Sequence, residues 1–550
     1  MSKSIWTRFS VGVPVAATDV RALKRSHPVV IASLALSLAA CAVGPDFRPP
    51  EAPLVRNFIG ANNRSIKTNY EDYRDWWNAF HDPTLSQLVQ IAYEQNLTLL
   101  SAGTRVLQAR AALGVAIGQF YPQIQQGVGD LAYNRTSAAT PVAPPDSSPR
   151  RFWTNALAAQ AVWELDFWGK FRRGVESSDA TYLASIATYD QVLVTLLGDV
   201  AATYIGIRTT EQLLAIARDN VRKQEDELRI AQVRFHNGSA SELDVFQATN
   251  VLEATRSAIP QLEIQLQQGR DALCVLLGIP PEPLGRLLAN SRGIQMPPAT
   301  IAVGIPADLL RRRPDIRAAE LAAMAQSAQI GIAESQLYPA ISISGTFGGT
   351  ASTANGHNLS QVFKSVGMAY AGGPSFQWNI LNYGQITNNV RVQDATLQQL
   401  LVDYQNNVLQ AEQQVEDGIS AFLNSRLQAQ SLRRSADAAD GALKLATLRY
   451  EAGESDFTTV LTAAQNLFQA QSNLATARSN VLLGATQIYR ALGGGWQIRD
   501  NNEFVTEATR EQMRARTNWG DVLPPAAKPQ PTPGLPAPKD VGPLVRLPLW

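Results

Sequence analysis

Two stretches of the 550-residue chain, 170–236 and 385–451, are equally long and contain no proline. Both are rich in Ala, Leu, Gln, Glu and Arg, which favour helices. Apolar residues in the first stretch recur three or four positions apart, as in a helix that packs in coiled-coil fashion. The members of this seam are Leu183, Ile186, Tyr189, Leu193, Leu197, Val200, Tyr204 and Ile207. At 1.5 Å per residue each helix would be about 100 Å long, so an elongated molecule is predicted.

Short motifs recur in the same order in both halves of the chain. The pairs are Gln119–Ile124 and Gln336–Ile341, Trp163–Gly169 and Trp378–Gly384, Arg234–Gly238 and Arg449–Gly453, and Leu277–Gly278 and Leu492–Gly493. The offset is 217 positions for the first pair and 215 for the others. An ordered set of repeats at a nearly constant offset predicts an internally duplicated structure.

Each half is predicted to contain one continuous helix and two shorter ones. Helices are expected to run back from the glycine turns over 240–278 and 455–493, and others are expected at 96–119 and 313–336. Stacked end to end, the two shorter helices match one long helix. Antiparallel neighbours cover each other's apolar seams only if their lengths agree, so a tube with a wall of uniform height is predicted.

Two strand pairs are predicted between the helices, at about 122–167 and 339–382. Side chains in 341–347 and 155–166 alternate between apolar and polar or small, as in the wall of a membrane barrel, and the fourth strand alternates from Val366 to Trp378. The first strand, 124–134, alternates poorly. A soluble sandwich with one buried face remains an alternative. Four strands cannot close a membrane barrel, so several chains would have to pool their strands.

Composition argues against several classes of function. The 48 basic and 47 acidic residues give no electrostatic preference for nucleic acid. The two cysteines, Cys41 and Cys274, are too few for a disulfide framework, and Cys274 lies on an apolar stripe typical of a buried thiol. The four histidines lack metal-ligand spacing, and neither a catalytic triad order nor a phosphate-binding glycine loop is visible. No enzyme, metal site or cofactor is expected.

The amino terminus has the features of an export signal. Arg21, Lys24 and Arg25 precede the apolar run 29–40, which is too short to span a membrane as a helix. The run ends in Leu-Ala-Ala before Cys41, and this resembles the bacterial lipobox, in which the cysteine is acylated. An alanine at position 42 implies, by that resemblance, sorting to the outer membrane.

Further motifs point to one family. They are Cys41–Phe47, Trp76-Trp77, Phe80, Asp82–Leu85, the duplicated Tyr-Pro and Arg-aromatic-x-x-Gly turns, and Ala491–Trp496. Together they resemble the lipoprotein branch of the TolC-type outer membrane factor family over roughly residues 41 to 500.

The resemblance implies a fold class and partners. The fold would be mainly α with β: a long α-helical barrel plus a transmembrane β-barrel with four strands per chain and twelve per trimer. A homotrimer would work with a periplasmic adaptor (membrane fusion) protein and an inner-membrane transporter, lipid-anchored in the cell outer membrane. It would be a passive, gated exit duct for small molecules, without a cofactor beyond the covalent lipid on Cys41.

The same resemblance places the functional residues at the periplasmic tip. Adaptor-contacting turns would be Gly238-Ser239 and Gly453-Glu454. Asp244 and Tyr450 match a hydrogen-bonded pair that holds the entrance shut, and a phenol donating to a carboxylate is physically reasonable. A solvated acid at a helix start and an ordinary seam tyrosine remain the alternative for this pair.

The chain departs from the family pattern at the entrance ring. The position that is often aspartate is Thr462, and Thr459 is likewise uncharged. A threonine ring would present hydroxyl groups instead of concentrated negative charge. Glu454 and Asp456 could compensate.

The predicted organisation is as follows. The segments are a signal peptide at 1–40, a lipidated segment at 41–81, a first repeat at 82–280 with its tip turn at about 236–240, a linker at 281–305, a second repeat at 306–496 with its tip turn at about 451–455, and a carboxyl-terminal segment at 497–550 with a proline-rich, disordered tail. Two functional alternatives remain open: a channel for type I protein secretion, and a periplasmic adaptor or scaffold lipoprotein.

Overall fold

A computed structural model describes residues 42–69, 73–137, 150–289, 300–304, 306–355, 358–500 and 502–523. The predicted signal peptide, Cys41, most of the loop 136–150, part of the linker 281–305 and the proline-rich tail lie outside these residues. The chain divides into two units, which are described separately. The first comprises Met1–Asp46, Ala116–Val175 and Ala328–Val392, and the second comprises Phe47–Val115, Glu176–Ser327 and Gln393–Trp550.

The helices and strands follow the order predicted for a duplicated chain. The helices are α1 (Pro83–Gln95), α2 (Leu97–Gly118), α3 (Lys170–His236), α4 (Glu242–Leu276), α5 (Gly285–Leu288), α6 (Leu309–Arg312), α7 (Pro314–Ser335), α8 (Gln385–Glu451), α9 (Phe457–Ala491) and α10 (Glu507–Arg516). The strands are β1 (Ile66–Lys67), β2 (Ile124–Arg135), β3 (Arg151–Leu165), β4 (Ile301–Ala302), β5 (Ala340–Ser352) and β6 (Met368–Gln377).

The long helices α3 and α8 are confirmed at the predicted ends, with 67 residues each. The returning helices α4 and α9 are shorter than predicted, with 35 residues each. Each begins only after an N-capping side chain, Ser241 for α4 and Asp456 for α9, which accepts a hydrogen bond from a backbone N–H of the first turn. The predicted duplication is therefore matched in the lengths of these four helices.

The core of the second unit contains most of the predicted helical seam. Tyr189, Leu193, Leu197, Val200, Tyr204 and Ile207 are buried, whereas Leu183 and Ile186 are half-buried. Helix α3 is long and apolar enough to cross a membrane, but a buried core helix passes the same test, and 56% of its most apolar window is buried. The seam therefore packs against protein, as coiled-coil spacing predicts.

Motif residues near the amino terminus complete this core. Trp76 stacks on Tyr489 with ring centroids 5.3 Å apart. Asp82 caps α1 by accepting the Thr84 N–H, and it also accepts the hydroxyl of Tyr204 at 2.6 Å. The buried Asp82 carboxylate thus accepts hydrogen bonds from both α1 and α3, as a buried polar group requires. The predicted burial of Cys274 is confirmed, since its side chain is fully enclosed.

The segment preceding α1 lies along α8. The backbone N–H groups of Val55 and Ile59 donate to Glu412 and Glu416 at 3.2 and 2.5 Å. Strand β1 pairs with β4 in parallel, bringing residue 66 against residue 301. The segment 47–69 is thus an ordered part of the second unit.

The first unit contains a four-stranded antiparallel sheet in the order β2-β3-β5-β6, so β2 and β6 are its edges. Strand β2 is regular although its sequence alternates poorly, because it pairs with β3 from residue 124 to residue 135. The prediction for the fourth strand was wrong at both ends. Val366 lies in a 3-10 turn before β6 and Trp378 follows its last residue.

One side of this sheet, here called the apolar face, carries large exposed hydrophobic side chains. Directly paired residues in antiparallel strands share a face, so the register assigns its members. They are Leu131, Tyr133, Trp153, Leu157, Trp163, Ile343, Phe347, Met368, Tyr370 and Phe376, each at least 37% exposed. The other face holds mainly Ser, Thr, Gly, Ala and Gln. The predicted greasy face is confirmed.

Candidate functional site: the tips of the helical hairpins

Both predicted tip turns are built in the same way. The N–H of Ser239 donates to the Arg234 carbonyl at 2.8 Å, and that of Glu454 donates to the Arg449 carbonyl at 2.9 Å. Gly238 and Gly453 have φ of +72° and +79°. This is the Schellman arrangement, in which a left-handed residue ends the helix and lets the last carbonyls be paired. The motif Arg-aromatic-x-x-Gly therefore ends a long helix in each repeat.

The residues predicted to contact an adaptor are accessible. Gly238, Ser239, Gly453 and Glu454 are all exposed. Three residues after each glycine, Ser241 and Asp456 cap the returning helices. The hairpins thus present the same backbone geometry with different side chains, a hydroxyl at 239 and a carboxylate at 454.

Tyr450 lies in a buried cluster at the end of α8. Its ring is 4% exposed and packs against Phe457 with centroids 4.9 Å apart. The guanidinium of Arg234 lies over the same ring, 4.4 Å from its centroid, and donates to the Tyr450 carbonyl. An arginine in this position combines a cation–π contact with a hydrogen bond at a helix carboxyl end, where cations are favoured. Arg234 therefore joins the tip of the first repeat to that of the second.

The predicted hydrogen bond between Tyr450 and Asp244 is not formed. The Tyr450 hydroxyl is buried without a hydrogen-bond partner among the described residues. Phe457 and Arg234 hold the ring within the apolar cluster, which directs the hydroxyl away from solvent. Burial raises the pKa of the phenol, the Asp244 carboxylate raises it further, and Arg234 opposes this. Asp244 therefore acts on Tyr450 through its charge.

The two threonines of the second hairpin use their hydroxyl groups locally. Thr462 is exposed, but its hydroxyl donates to the Thr458 carbonyl at 2.8 Å. Thr459 donates its N–H and its hydroxyl to Asp456, and these bonds hold the pKa of that carboxyl below its usual range. The acidic side chains at this turn are thus Glu451, Glu454 and the capping Asp456, all of them exposed.

Two segments of the chain, residues 88–279 and 305–494, match the sequence profile described as outer membrane efflux protein. They cover most of the described chain and coincide with the two structural repeats. The chain belongs to the outer membrane efflux protein family. The family predicted from the lipobox, the paired turns and the Gly-Gly-Gly-Trp ending is confirmed.

Relatives of this efflux-family chain are similar over almost their whole length. Nodulation protein T of Rhizobium leguminosarum bv. viciae is 31% identical over 86% of this chain and 94% of its own. The pyoverdine export outer membrane protein OpmQ of Pseudomonas putida is 31% identical over 84% and 96%. The solved structure of the outer-membrane channel OprN has a TM-score of 0.77 and 30% identity, and it covers 83% of this chain and all of its own. The predicted fold class is confirmed.

One residue of this efflux protein's tip was not assigned a role from the sequence. Arg234 belongs to the first turn motif, but its partners lie 216 positions away in the second repeat. Its repeat equivalent, Arg449, stands directly before Tyr450. An arginine beside an aromatic residue in both copies is the pattern that could have suggested an Arg–aromatic contact between the repeats.

Proposed function

We propose that this chain forms, as a homotrimer, the passive outer-membrane exit duct of a tripartite efflux system that exports small molecules. The observation that carries the proposal is one duplicated chain with two long helical hairpins and a four-stranded sheet with an apolar face. Membership of the outer membrane efflux protein family supports it. OpmQ, a relative named for pyoverdine export, supports a small-molecule cargo.

The sheet supports a shared barrel. Strands β2 and β6 are edges of a sheet whose apolar face is exposed. Unpaired backbone N–H and C=O groups are too costly in hydrocarbon, so the edges of one chain would pair with those of its neighbours. Three copies would supply twelve strands, enough for a barrel with an aqueous lumen lined by the polar face.

The helical tips support a gated entrance. Arg234 fixes the end of α8 through Tyr450, and the charge of Asp244 contributes to the raised pKa of the same side chain. We assign the resting seal to this cluster and the adaptor contact to Gly238, Ser239, Gly453 and Glu454. The adaptor and the inner-membrane transporter would supply the specificity and the energy, since the channel itself is passive.

The lipid on Cys41 is a second part of the proposal. Its support is the sequence alone: an export signal followed by Leu-Ala-Ala-Cys. One acyl-bearing cysteine would tether each chain to the outer membrane in addition to the barrel. The mass of the mature chain tests it: an acylated amino-terminal Cys41 supports the anchor, and an unmodified cysteine contradicts it.

The channel is tested by the oligomeric mass and planar-bilayer conductance of the purified full-length protein. A trimer with a low single-channel conductance that rises when the tip cluster is mutated would support the gated duct. A monomer without conductance would contradict it and return the adaptor or scaffold lipoprotein to consideration. The duplicated strand–helix order argues against that alternative, because an adaptor would carry a single hairpin.

Protein secretion is the second candidate within the channel class. The same wall could serve a type I secretion transporter. Export assays distinguish the two when the channel is expressed, together with an adaptor and a transporter, in an efflux-deficient host. Restored resistance to small toxic compounds supports efflux. Release of a type I protein substrate without restored resistance supports secretion.

A further inference from the structure

Two arginines lie opposite each other at one end of the sheet. Arg135 ends β2, Arg151 begins β3, and the register pairs them directly. The next residues toward the loop, Thr136 and Arg150, form the hydrogen-bonded pair, since the Thr136 N–H donates to the Arg150 carbonyl at 3.0 Å. Arg135 and Arg151 therefore occupy a non-hydrogen-bonded site, where opposite side chains approach most closely.

Like charges directly opposite each other destabilise a sheet unless a counter-charge is present. No ion pair among the described residues of the first unit includes Arg135 or Arg151. The acidic residues of the two strands, Asp130 and Glu164, lie on the opposite face by strand alternation. Both arginines are exposed. On this face, the described part of the sheet thus holds two adjacent cations and no anion.

The arginine pair continues the apolar face. The pair before it on the same face is Tyr133 and Trp153, whose ring centroids lie 5.1 Å apart. Two residues along a strand span about 7 Å, so the arginine pair lies about 7 Å beyond the aromatic pair along the strands. Aromatic side chains mark the boundary between hydrocarbon and headgroups in membrane barrels. If this face contacts lipid, the arginine pair, which lies just beyond the aromatic pair, is at the depth of the headgroups.

We propose that Arg135 and Arg151 form a binding site for the phosphate groups of the glycolipid in the outer leaflet, lipid A. The end of the sheet next to the β2–β3 loop is the external end if the helices are periplasmic, so its headgroups belong to that leaflet. Guanidinium groups bind phosphate bidentately, and one phosphate between the two arginines removes their repulsion. The inference rests on the proposed outer-membrane placement.

The test is native mass spectrometry of the purified full-length protein titrated with bisphosphorylated lipid A, with dephosphorylated lipid A and with inorganic phosphate. The variant is Arg135→Gln/Arg151→Gln. The matched control is Arg150→Gln, which removes the neighbouring arginine from the opposite face. The double variant is expected to weaken binding of bisphosphorylated lipid A roughly tenfold, as for loss of a charge-assisted contact, with dephosphorylated lipid A unaffected. The control is expected to bind like the wild type.

Three outcomes would overturn the proposal: unchanged lipid A binding in the double variant, an equal loss in Arg150→Gln, or full competition by inorganic phosphate, which would indicate a site for free anions. If the double variant does not assemble, the single variants replace it, each with a smaller loss expected. Conductance of the same preparations separates this inference from the proposed function. Wild-type conductance without phosphate-dependent lipid binding contradicts the inference alone.

Discussion

Single side chains at the tip decide how firmly the two repeats are joined. Arg234 makes two contacts with Tyr450, one to its ring and one to its carbonyl, while the Tyr450 hydroxyl makes no hydrogen bond within the described chain. Because this buried hydroxyl makes no hydrogen bond there, its removal costs no hydrogen-bond energy. The link between the repeats therefore resides in the guanidinium group and not in the phenol oxygen.

Arg234→Gln is expected to raise the resting conductance, because it removes a cation–π contact and a charge-assisted hydrogen bond together worth about 2 kcal/mol. Tyr450→Phe is expected to conduct like the wild type. Single-channel recordings in planar bilayers measure both. The control is Arg229→Gln, an exposed arginine that pairs with Asp226 on its own helix. A rise in Tyr450→Phe would instead show that the hydroxyl bonds to Asp244 in the assembled channel.

Glu227, about three turns before Gly238, should make the stability of the fold depend on pH. It is buried, and its Oε2 has no partner in the described chain. Burial raises its pKa to about 7, with Lys223 lowering it and Asp226 raising it by smaller amounts. Because the folded pKa exceeds the ordinary value of 4.5, the charged form destabilises the fold above about pH 7, and this is relieved as pH falls toward 4.5.

Glu227→Gln is therefore expected to raise the free energy of unfolding at pH 8 by on the order of 2 kcal/mol and to change it little at pH 5. Thermal unfolding in detergent at the two pH values measures the difference. Glu225→Gln is the matched control, since Glu225 is exposed and pairs with Arg256. Equal effects of Glu227→Gln at both pH values would show that the carboxyl is not buried in its charged form.

At the scale of elements, the long helices are ended by backbone geometry. Gly238 and Gly453 hold positive φ, and a Cβ at Gly238 would meet no atom within 4 Å. The cost of a side chain there is conformational and not steric. Gly441, inside α8, also has open space but has no positive φ. The same substitution at the two kinds of glycine should have opposite effects.

Gly238→Ala is expected to lower the free energy of unfolding by about 1 kcal/mol, because an alanine at positive φ is strained. Gly441→Ala is expected to raise it by a similar amount, because alanine is the better helix former. Thermal unfolding of the two variants beside the wild type measures both signs. A stabilising Gly238→Ala would contradict the Schellman geometry at the tip.

At the scale of the whole molecule, the repeats are equivalent in sequence but not in burial. Tyr450 is 4% exposed, whereas its repeat equivalent Phe235 is 42% exposed. Arg234 covers Tyr450 within one chain, and Arg449 is the equivalent of Arg234. In a closed ring with repeating contacts, Arg449 of a second copy would cover Phe235. The exposed phenylalanine is thus a surface that a homotrimer would bury.

Phe235→Cys/Arg449→Cys is expected to cross-link into dimers and trimers with a short bis-maleimide, as seen on a denaturing gel. Each single cysteine variant is the control and should remain monomeric on the same gel. Cys274 is fully buried and should not react. Monomers alone from the double variant would contradict the repeating contact at the tip.

The duplication, the ends of the long helices, the tip turns and the alternation of three strands could all be predicted from the amino-acid order. These features depend on local properties: the absence of proline, a glycine at positive φ, and side-chain period along a strand. The family followed from those turn motifs together with Cys41–Phe47, Trp76-Trp77 and Ala491–Trp496. The predicted ends of the returning helices and of β6 were less accurate, because capping side chains and strand pairing set where these elements begin and end.

The side chains that act together at the tip became known from the folded structure. It placed Arg234 on Tyr450 across 216 positions of the chain and confined the hydroxyl groups of Thr459 and Thr462 to their own helix. It also left the Tyr450 hydroxyl without a hydrogen-bond partner in the part of the chain that the structure describes. It also paired Arg135 with Arg151 across the first strand pair. Such contacts depend on how helices and strands pack and register, and no periodicity along one element specifies them.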